Sequence, residues 1–600
     1  MLPDLPVEVI EQIVGYLPSA SAIVNLARTE RNLHSIVSAD GYHVFRSFVQ
    51  NAFPTIKTPP LWRDAARILT SRSRAWDRRA FIARECYPPP DNIDYPQYAL
   101  GSHKIGYHPA IDSYETWEGH SWSNRKEVLA WGAAGRLRTR TIKDGVTTWS
   151  SYSIPDDHRQ DLDILDVRIL RPHQVNSSDG ETIVFRRANH EVVKVQTSEP
   201  DVFTQQSSYV TPPGDHTCMD ISQSADPILA ACGDHSIRLY PVRSQQKLVR
   251  PSDSVKLEDR YKIQQRMRCI KFLSGTTVAI ANQFLQGRDR APIHIYDISQ
   301  TGLSSTPLTE SMSYSETSNP YMSRHSANVI VPLDDIGISG SSPGTLFLSG
   351  WTDGIARLHD TRIAQKSVVE YVDAVDSGQI LSLLTVGHEH FLAGSSENGC
   401  LRTFDLRMPG AKAYSYLNAR QTQPTRSPKK TEPQRGINIF LTPTVNFGER
   451  LWEPLPRNPR KRSQGYRGSV YSLSSPSPSS PTVYAGIENH VLQLDFVSTD
   501  DIRSHKTDID LNSHDAKGRD SEQPILNLSC YERPREGKES TDPVLLRKQL
   551  DLSWALKYGN IDSEGGSREE GWDERLRLNT SVKDRGHRES GWRTHRRQPT

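Results

Sequence analysis

Leu346-Phe347-Leu348-Ser349-Gly350-Trp351-Thr352-Asp353-Gly354-Ile355-Ala356-Arg357-Leu358-His359-Asp360 is the stretch that decides the fold. An apolar run reaches a small-residue step, a tight polar turn follows, and a second alternating run leads away. Asp353-Gly354 is a strong hairpin signal, because both turn positions favour positive φ. The same pattern recurs at Ile228-Leu229-Ala230-Ala231-Cys232-Gly233-Asp234-His235-Ser236-Ile237-Arg238-Leu239-Tyr240. It returns at Phe391-Leu392-Ala393-Gly394-Ser395-Ser396-Glu397-Asn398-Gly399-Cys400-Leu401-Arg402-Thr403-Phe404-Asp405. Gly354 and Gly399 lie 45 residues apart, at the top of the roughly 40–45-residue period of one repeat class. Weaker copies fall near 128–141, 164–195, 268–298 and 470–496.

One four-stranded unit cannot bury both faces of its sheet, so such an array is expected to fold as a closed ring. The segments resemble WD-repeat blades, with Tyr240-Pro241, Tyr296-Asp297, His359-Asp360, Phe404-Asp405 and Leu494-Asp495 where that family carries Trp-Asp. The resemblance implies a β-propeller of about seven blades, or eight if Ile525–Tyr531 or the segment near Gly101 forms a sheet of its own. Either segment is otherwise expected to supply the outer strand that closes the ring. A β-sandwich of short strands would not account for the recurring small-residue and turn register. The blades are expected over 96–407 and 468–535.

The N-terminus reads differently. In Leu5-Pro6-Val7-Glu8-Val9-Ile10-Glu11-Gln12-Ile13-Val14-Gly15-Tyr16-Leu17, the residues Ile10, Ile13, Val14 and Leu17 share one helical face. Pro6 suits a helix start, Pro18 ends the helix, and Ser19 or Ser21 can cap the next one. Ile23, Leu26, Ala27, Leu33, Ile36 and Val37 continue the apolar pattern. Residues 1–40 resemble an F-box, the helical module that docks a substrate receptor onto the Skp-type adaptor of a cullin-RING ubiquitin ligase. They depart from it at Thr29-Glu30 and Leu33, where the family often has Val-Cys and Trp. The resemblance implies adaptor binding through Leu5, Pro6, Val9, Ile10, Ile13, Leu17, Leu26 and Leu33. Residues 41–95 are expected to be a helical linker, carrying Leu61, Ala65, Ile68, Leu69, Trp76 and Phe81 and ended by Pro88-Pro89-Pro90. The chain is thus expected to be α+β and multidomain, and to resemble the F-box/WD-repeat receptors.

Residues 408–467 are rich in proline and basic side chains and are expected to be a disordered insertion. The clusters Ser427-Pro428-Lys429-Lys430 and Arg457-Asn458-Pro459-Arg460-Lys461-Arg462 suit nuclear import or simply a solvated loop. Ser427 and Thr442 precede proline and, with Ser475, Ser477 and Ser480, are candidate phosphorylation sites. The tail, 536–600, is expected to be mostly disordered, with one helix through Val544, Leu545, Leu546, Leu550, Leu552, Trp554 and Leu556.

The formal net charge of +2 over 600 residues gives no reason to expect a dedicated nucleic-acid binder. No apolar run long enough for a membrane span occurs, and six scattered cysteines without a Cys-x-x-Cys pair suit a cytoplasmic or nuclear protein. His388-Glu389-His390 reads as a polar turn, and no nucleophile elbow or P-loop spacing is present. No enzyme activity, metal or cofactor is therefore expected. Arg238, Arg357 and Arg402 share one register, with Arg268 at the start of another unit. In the family such arginines line the channel and read phosphorylated substrates by bidentate pairing; ordinary surface arginines beside acidic partners are the alternative. The expected function is substrate recognition in an SCF-type ligase, for an intact or phosphorylated protein substrate. Two rivals are a cullin-4-type receptor, suggested by His359-Asp360-Thr361-Arg362 and Phe404-Asp405-Leu406-Arg407, and a scaffold without ubiquitin transfer.

Overall fold

A computed structural model describes residues within 5–88, 107–413, 434–441, 468–503, 525–533, 544–555 and 571–578, with interruptions inside several of these spans. Both basic clusters, the segment around Gly101 and the residues beyond 578 lie outside the described residues.

The repeats fold into a β-propeller arrangement. Seven sheets of four or more strands are present among the described residues, together with one two-stranded ribbon. The first three strands of each sheet are consecutive in the chain and form an antiparallel meander that begins at the inner strand, while outer positions include a parallel strand, Leu248–Val249, and a strand from early in the chain, Ile82–Glu85. In chain order the inner strands are Ile111–Trp117, Ile164–Ile169, Cys218–Ile221, Gln265–Phe272, Ala327–Pro332, Ile380–Val386 and Ser472–Ser474. Each of them packs against the next, and the seventh against the first, so the ring is closed. The local turn signals hold: Asn398 and Gly399 both adopt positive φ, at 62° and 53°, whereas in Asp353-Gly354 only the glycine does, at 80°. A Cβ at Gly354 would also meet the Gly378 carbonyl at 2.8 Å. Apolar side chains fill the gaps between sheets, Val128, Ile183 and Phe185 in one and Leu348, Ile380 and Phe391 in another.

Polar side chains fix how the sheets abut. Asp112 accepts the Ile169 amide at 2.7 Å, Asp166 the Met219 amide at 3.3 Å, and Asp220 the Phe272 amide at 3.0 Å. The Ile330 backbone bonds the Cys269 sulfur. Asn328 donates to the Ile380 carbonyl at 3.1 Å and Ser382 to the Val470 carbonyl at 2.8 Å, while Ser472 donates to the Pro109 carbonyl. Every junction between neighbouring inner strands thus carries a side-chain bond to the main chain of the next strand or of the residues leading into it.

Closure of the ring differs from expectation. Ile82–Glu85, read as the end of a helical linker, is a strand that pairs antiparallel with His490–Asp495, with Ala83 opposite Leu494. Its residues Ile82 and Ala83 are buried, which a solvated helix could not offer them. Ile525–Leu526 lies outside it as a fifth strand, and Ser529–Glu532 joins the sixth sheet instead. Within the expected insertion, Ile437–Phe440 forms the fourth strand of that sixth sheet. Part of the expected tail helix is strand instead: Leu546–Gln549, with Leu576–Leu578, extends the sixth sheet to seven, while helical geometry appears at Leu552 and at Ala555, whose amide bonds the Asp551 carbonyl at 3.0 Å. An open sheet edge supplies unpaired main-chain groups, and that outweighs a weak helical pattern.

The N-terminal helices are α1 (Val7–Gly15), α2 (Ala20–Thr29), α3 (Arg31–Val37), α4 (His43–Ala52) and α5 (Trp62–Asp77). Ser19 caps α2, accepting the Ala22 amide at 3.3 Å. Residues 1–40 do not close a core alone: Ile10, Val14, Ile23 and Leu33 pack with Phe45, Phe48, Ala65 and Leu69 from α4 and α5. The second half of α5 turns to the ring, where Ala75 and Trp76 join Phe81, Leu392 and Phe496. One helix of about 24 Å therefore belongs to both cores.

Burial pushes the Asp220 carboxyl up, but Lys271, Arg168 and the Phe272 amide outweigh it and hold the group below its ordinary value. A carboxyl depressed in the folded state contributes stability above its unfolded value of about 4 and loses it as pH falls through the folded value. Asp220→Asn is expected to cost about 2 kcal/mol at pH 7. The gap to wild type should narrow as pH falls below about 4. Urea unfolding at pH 7 and pH 3 checks both, and equal stabilities at pH 7 would contradict the role assigned to Asp220.

Candidate functional site on two opposite faces

Because the inner strand begins the three-strand meander of every sheet, these strands run the same way along the channel and give the ring two distinct faces. In the first sheet Ile111 pairs with Trp131 and Trp117 with Arg125. The starts of the inner strands therefore lie beside the hairpins joining second to third strands. Their ends lie beside the hairpins joining first to second.

At the starting face, four inner strands carry a register shift close to where they begin: Ile164/Asp166, Met267/Cys269, Ala327/Val329 and Ile380/Ser382. The residues left out of the ladder are Leu165, Arg268, Asn328 and Leu381. Such bulges re-aim a side chain and cluster beside functional sites. Leu165 is 44% exposed, Arg268 is exposed and donates through Nε to Gln283 Oε1 at 2.8 Å, and Leu381 is half-buried. His108 and Tyr471, just before the first and seventh inner strands, stack at 3.8 Å. Burial pushes the His108 ring below its ordinary value, against the pull of Glu488. Apolar, aromatic and cationic groups thus meet around one channel mouth.

The opposite face carries the helices. Arg72 donates to the Pro478 and Ser480 carbonyls of a hairpin there. Ser71 donates to Asp501 at 2.9 Å, and Arg74 pairs with the same carboxylate at 2.6 Å. Trp76 stacks on His390 at 4.9 Å and on Phe496 at 4.5 Å. The outer side of α1 is left uncovered: Leu5, Val9 and Ile13 are each 37% exposed and Tyr16 86%. Val9, Ile13 and Tyr16 follow i, i+4, i+7 spacing, so they form one apolar stripe.

Of the residues expected to bind an adaptor, Leu5, Pro6, Val9 and Ile13 lie on this open side. Ile10 and Leu33 do not: both are buried in the helical core, and Leu17 and Leu26 are half-buried against it. The arginine register also needs correction. Arg238, Arg357 and Arg402 sit on third strands, away from the channel. Arg402 is wholly buried, bonding Asp376 at 3.2 Å, the Gly354 carbonyl at 2.7 Å and Ser395 Oγ at 3.1 Å. It ties the fifth sheet to the sixth. Arg357 pairs with Asp353 at 2.7 Å and Glu370 at 3.0 Å and lies 4.8 Å from the Trp351 ring. Only Arg268 of the four stands on an inner strand. Sequence reading missed Leu165, Leu381, His108 and Tyr471; bulges arise from pairing and leave no local signature.

The chemistry of the remaining groups is that of a packed scaffold. Burial pushes the Cys86 thiol up to about 11 and those of Cys269 and Cys530 to about 12, far from a reactive thiolate. Burial, with Arg357 beside it, pushes His359 down to about 3, leaving a neutral ring that bonds Ser349 at 2.7 Å. Glu389 binds Arg407 at 2.6 Å, and Arg407 also pairs with Asp405, so that part of the expected polar turn is engaged locally; His388 lies outside the described residues. Among the described residues no group of three potential metal ligands occurs, and no helix is long and apolar enough to cross a membrane.

No protein-family model matches the chain, and no curated protein matches it. Among solved structures it is similar to the crystal structure of Raptor from Chaetomium thermophilum, at 12% identity and a TM-score of 0.38. The match covers 65% of this chain and 28% of that one.

Arg402→Ala is expected to cost about 3–5 kcal/mol, because Asp376 is left buried and uncompensated. Arg268→Ala should stay within about 0.5 kcal/mol of wild type. Denaturant unfolding of the two variants separates these roles, and a stable Arg402→Ala protein would contradict the structural one.

Proposed function

We propose that the chain is the substrate-recognition subunit of an SCF-type ubiquitin ligase, with α1–α3 acting as an F-box and the ring, read as seven-bladed, as the substrate platform. The observation that carries this reading is the apolar stripe Leu5, Val9, Ile13 and Tyr16, uncovered on a helical module that stands on the face opposite the bulged mouth. Large apolar side chains are exposed elsewhere too, Leu165, Leu248 and Leu308 among them, but a contiguous row of them on one helix face fits a docking surface better than scattered single residues do. Aromatic and aliphatic anchors of this kind carry most of an interface's energy. In this reading the Skp-type adaptor covers the stripe, and a protein substrate engages Leu165, Arg268 and Leu381 at the mouth.

The contribution to catalysis would be proximity. A rigid two-ended adapter raises the effective concentration of a substrate lysine near a ubiquitin thioester carried by the other ligase subunits. Residues of this chain need supply no acid, base or nucleophile. A phosphate-reading ring of arginines does not belong to the proposal, since Arg357 and Arg402 are consumed by internal partners. For the cullin-4 rival, Arg362 and Arg407 are each paired with the aspartate two residues before them, at 2.7 Å in both cases.

Replacing Val9 and Ile13 together by Asp should abolish co-purification of a Skp-type adaptor and leave the thermal unfolding midpoint unchanged, because neither side chain enters the core. Ile10→Asp should instead unfold the helical module. Leu165→Asp with Leu381→Asp should retain the adaptor and lose the substrates enriched when proteasomes are blocked. Full adaptor capture by the Val9/Ile13 variant would defeat the proposal, and recovery of substrates with no adaptor at all would favour the scaffold.

A further inference from the structure

The joint where α5 hands over to the ring is built on a strained backbone. Arg79 has φ 55°, in the left-handed region that residues with a Cβ rarely enter. Its guanidinium donates to Glu532 at 2.7 Å and lies 4.0 Å from the Trp572 ring centroid. Arg547 lies at the same 4.0 Å from that ring, so two cations flank one indole. Residues on either side of Arg79 are held by the same C-terminal segment. The Asp573 amide donates to the Arg78 carbonyl at 2.8 Å, and Arg575 donates to the Phe81 carbonyl at 3.2 Å.

That segment also reaches α5 from a second side. The Asp573 carboxylate accepts the Thr499 amide at 2.9 Å and the Thr499 hydroxyl at 2.6 Å. Thr499 begins the short helix α6 (Thr499–Arg503), whose Asp500 and Asp501 pair with Arg78 and Arg74. The ring does not need any of this to close: Ile82–Glu85 already completes the seventh sheet, and Leu576–Leu578 is only the outermost strand of the sixth. Beyond residues 78–81 the segment also bonds Leu550 and Asn527 through Arg575, and Trp572 and Leu576 share a buried cluster with Phe81, Leu528 and Cys530.

We propose that residues 571–578 are an intramolecular latch that fixes the angle between the helical module and the ring, and that residues 78–80 become a hinge when the latch lets go. Release strips the contacts of Trp572, Asp573 and Arg575 from residues 78–81 and leaves the positive φ of Arg79 supported by the C-terminal bonds of α5, Arg79 N–H to the Trp76 carbonyl at 3.0 Å and Ala80 N–H to the Ala75 carbonyl at 2.8 Å. The inference stands apart from the ligase reading, since it concerns only how the two bodies of this chain are joined.

Hydrogen–deuterium exchange on the full chain tests it. In Trp572→Ala the amides of 74–81 should exchange at least tenfold faster than in wild type, with strands 390–395 and 400–405 unchanged. Spin labels at Gln12→Cys and Ile363→Cys, both exposed positions, should give one narrow distance in the wild-type background and a broadened distribution with Trp572→Ala. Asp573→Asn, which keeps the indole in place, should produce the same change in smaller measure and decides the matter if Trp572→Ala disturbs the whole fold. Unchanged exchange at 74–81 in both variants overturns the proposal. Equal loss of protection at 74–81 and 390–405 in both variants overturns it too, because the segment would then be part of the ring's own core.

Discussion

Everything in the molecule hangs on the directional bonds between neighbouring inner strands. Apolar packing between sheets is strong but has no preferred register. A side chain that reaches across to the next strand's main chain does have one: the Asp220 carboxylate meets the Phe272 amide at a single relative height. Each such bond contributes only about 0.5–1.5 kcal/mol net, yet leaving its buried partner unpaired costs more, so a slip of the ring is penalised at every junction. The result is a ring whose two faces are fixed relative to one another, as the proposed two-ended adapter would require.

The helical module inherits that rigidity through α5. Its first half completes the core of α1–α4, and its second half is buried among ring side chains. The next residues become the strand that closes the ring. Module, joint and closure are therefore consecutive pieces of one continuous segment, and the module's open stripe is held on the side away from the mouth. Arg79, at positive φ where α5 meets the ring, has the C-terminal segment packed against it.

Short-range features were legible in the sequence. Turn residues with their own φ demands marked the hairpins, and the helical character of α1 could be read from spacing alone. What sequence hid was pairing over distance. Ile82–Glu85 has partners some four hundred residues away, so its apolar residues read as one more helical turn. The tail strands were hidden because an open sheet edge, not their own composition, makes them strands. Arg238, Arg357 and Arg402 do share a register, but register does not reveal which strand of a sheet a residue occupies. Arg402 looked like a ligand-reading group and is an internal staple. On α1, the stripe that looked like core and the core that looked like stripe could be separated only once α4 and α5 were seen to cover Ile10 and Val14.

Hydroxyl-radical footprinting of the purified chain, alone and with a Skp-type adaptor, tests most directly whether the molecule has two separately usable faces. Tyr16 and Leu165 should both be labelled in the free protein, while Trp76 and Trp572 stay protected. Adding the adaptor should shield Leu5 to Tyr16 and leave Leu165, Arg268 and Leu381 as reactive as before. Tyr16 already shielded in the free chain, or shielding at the mouth on adding the adaptor, would contradict the account.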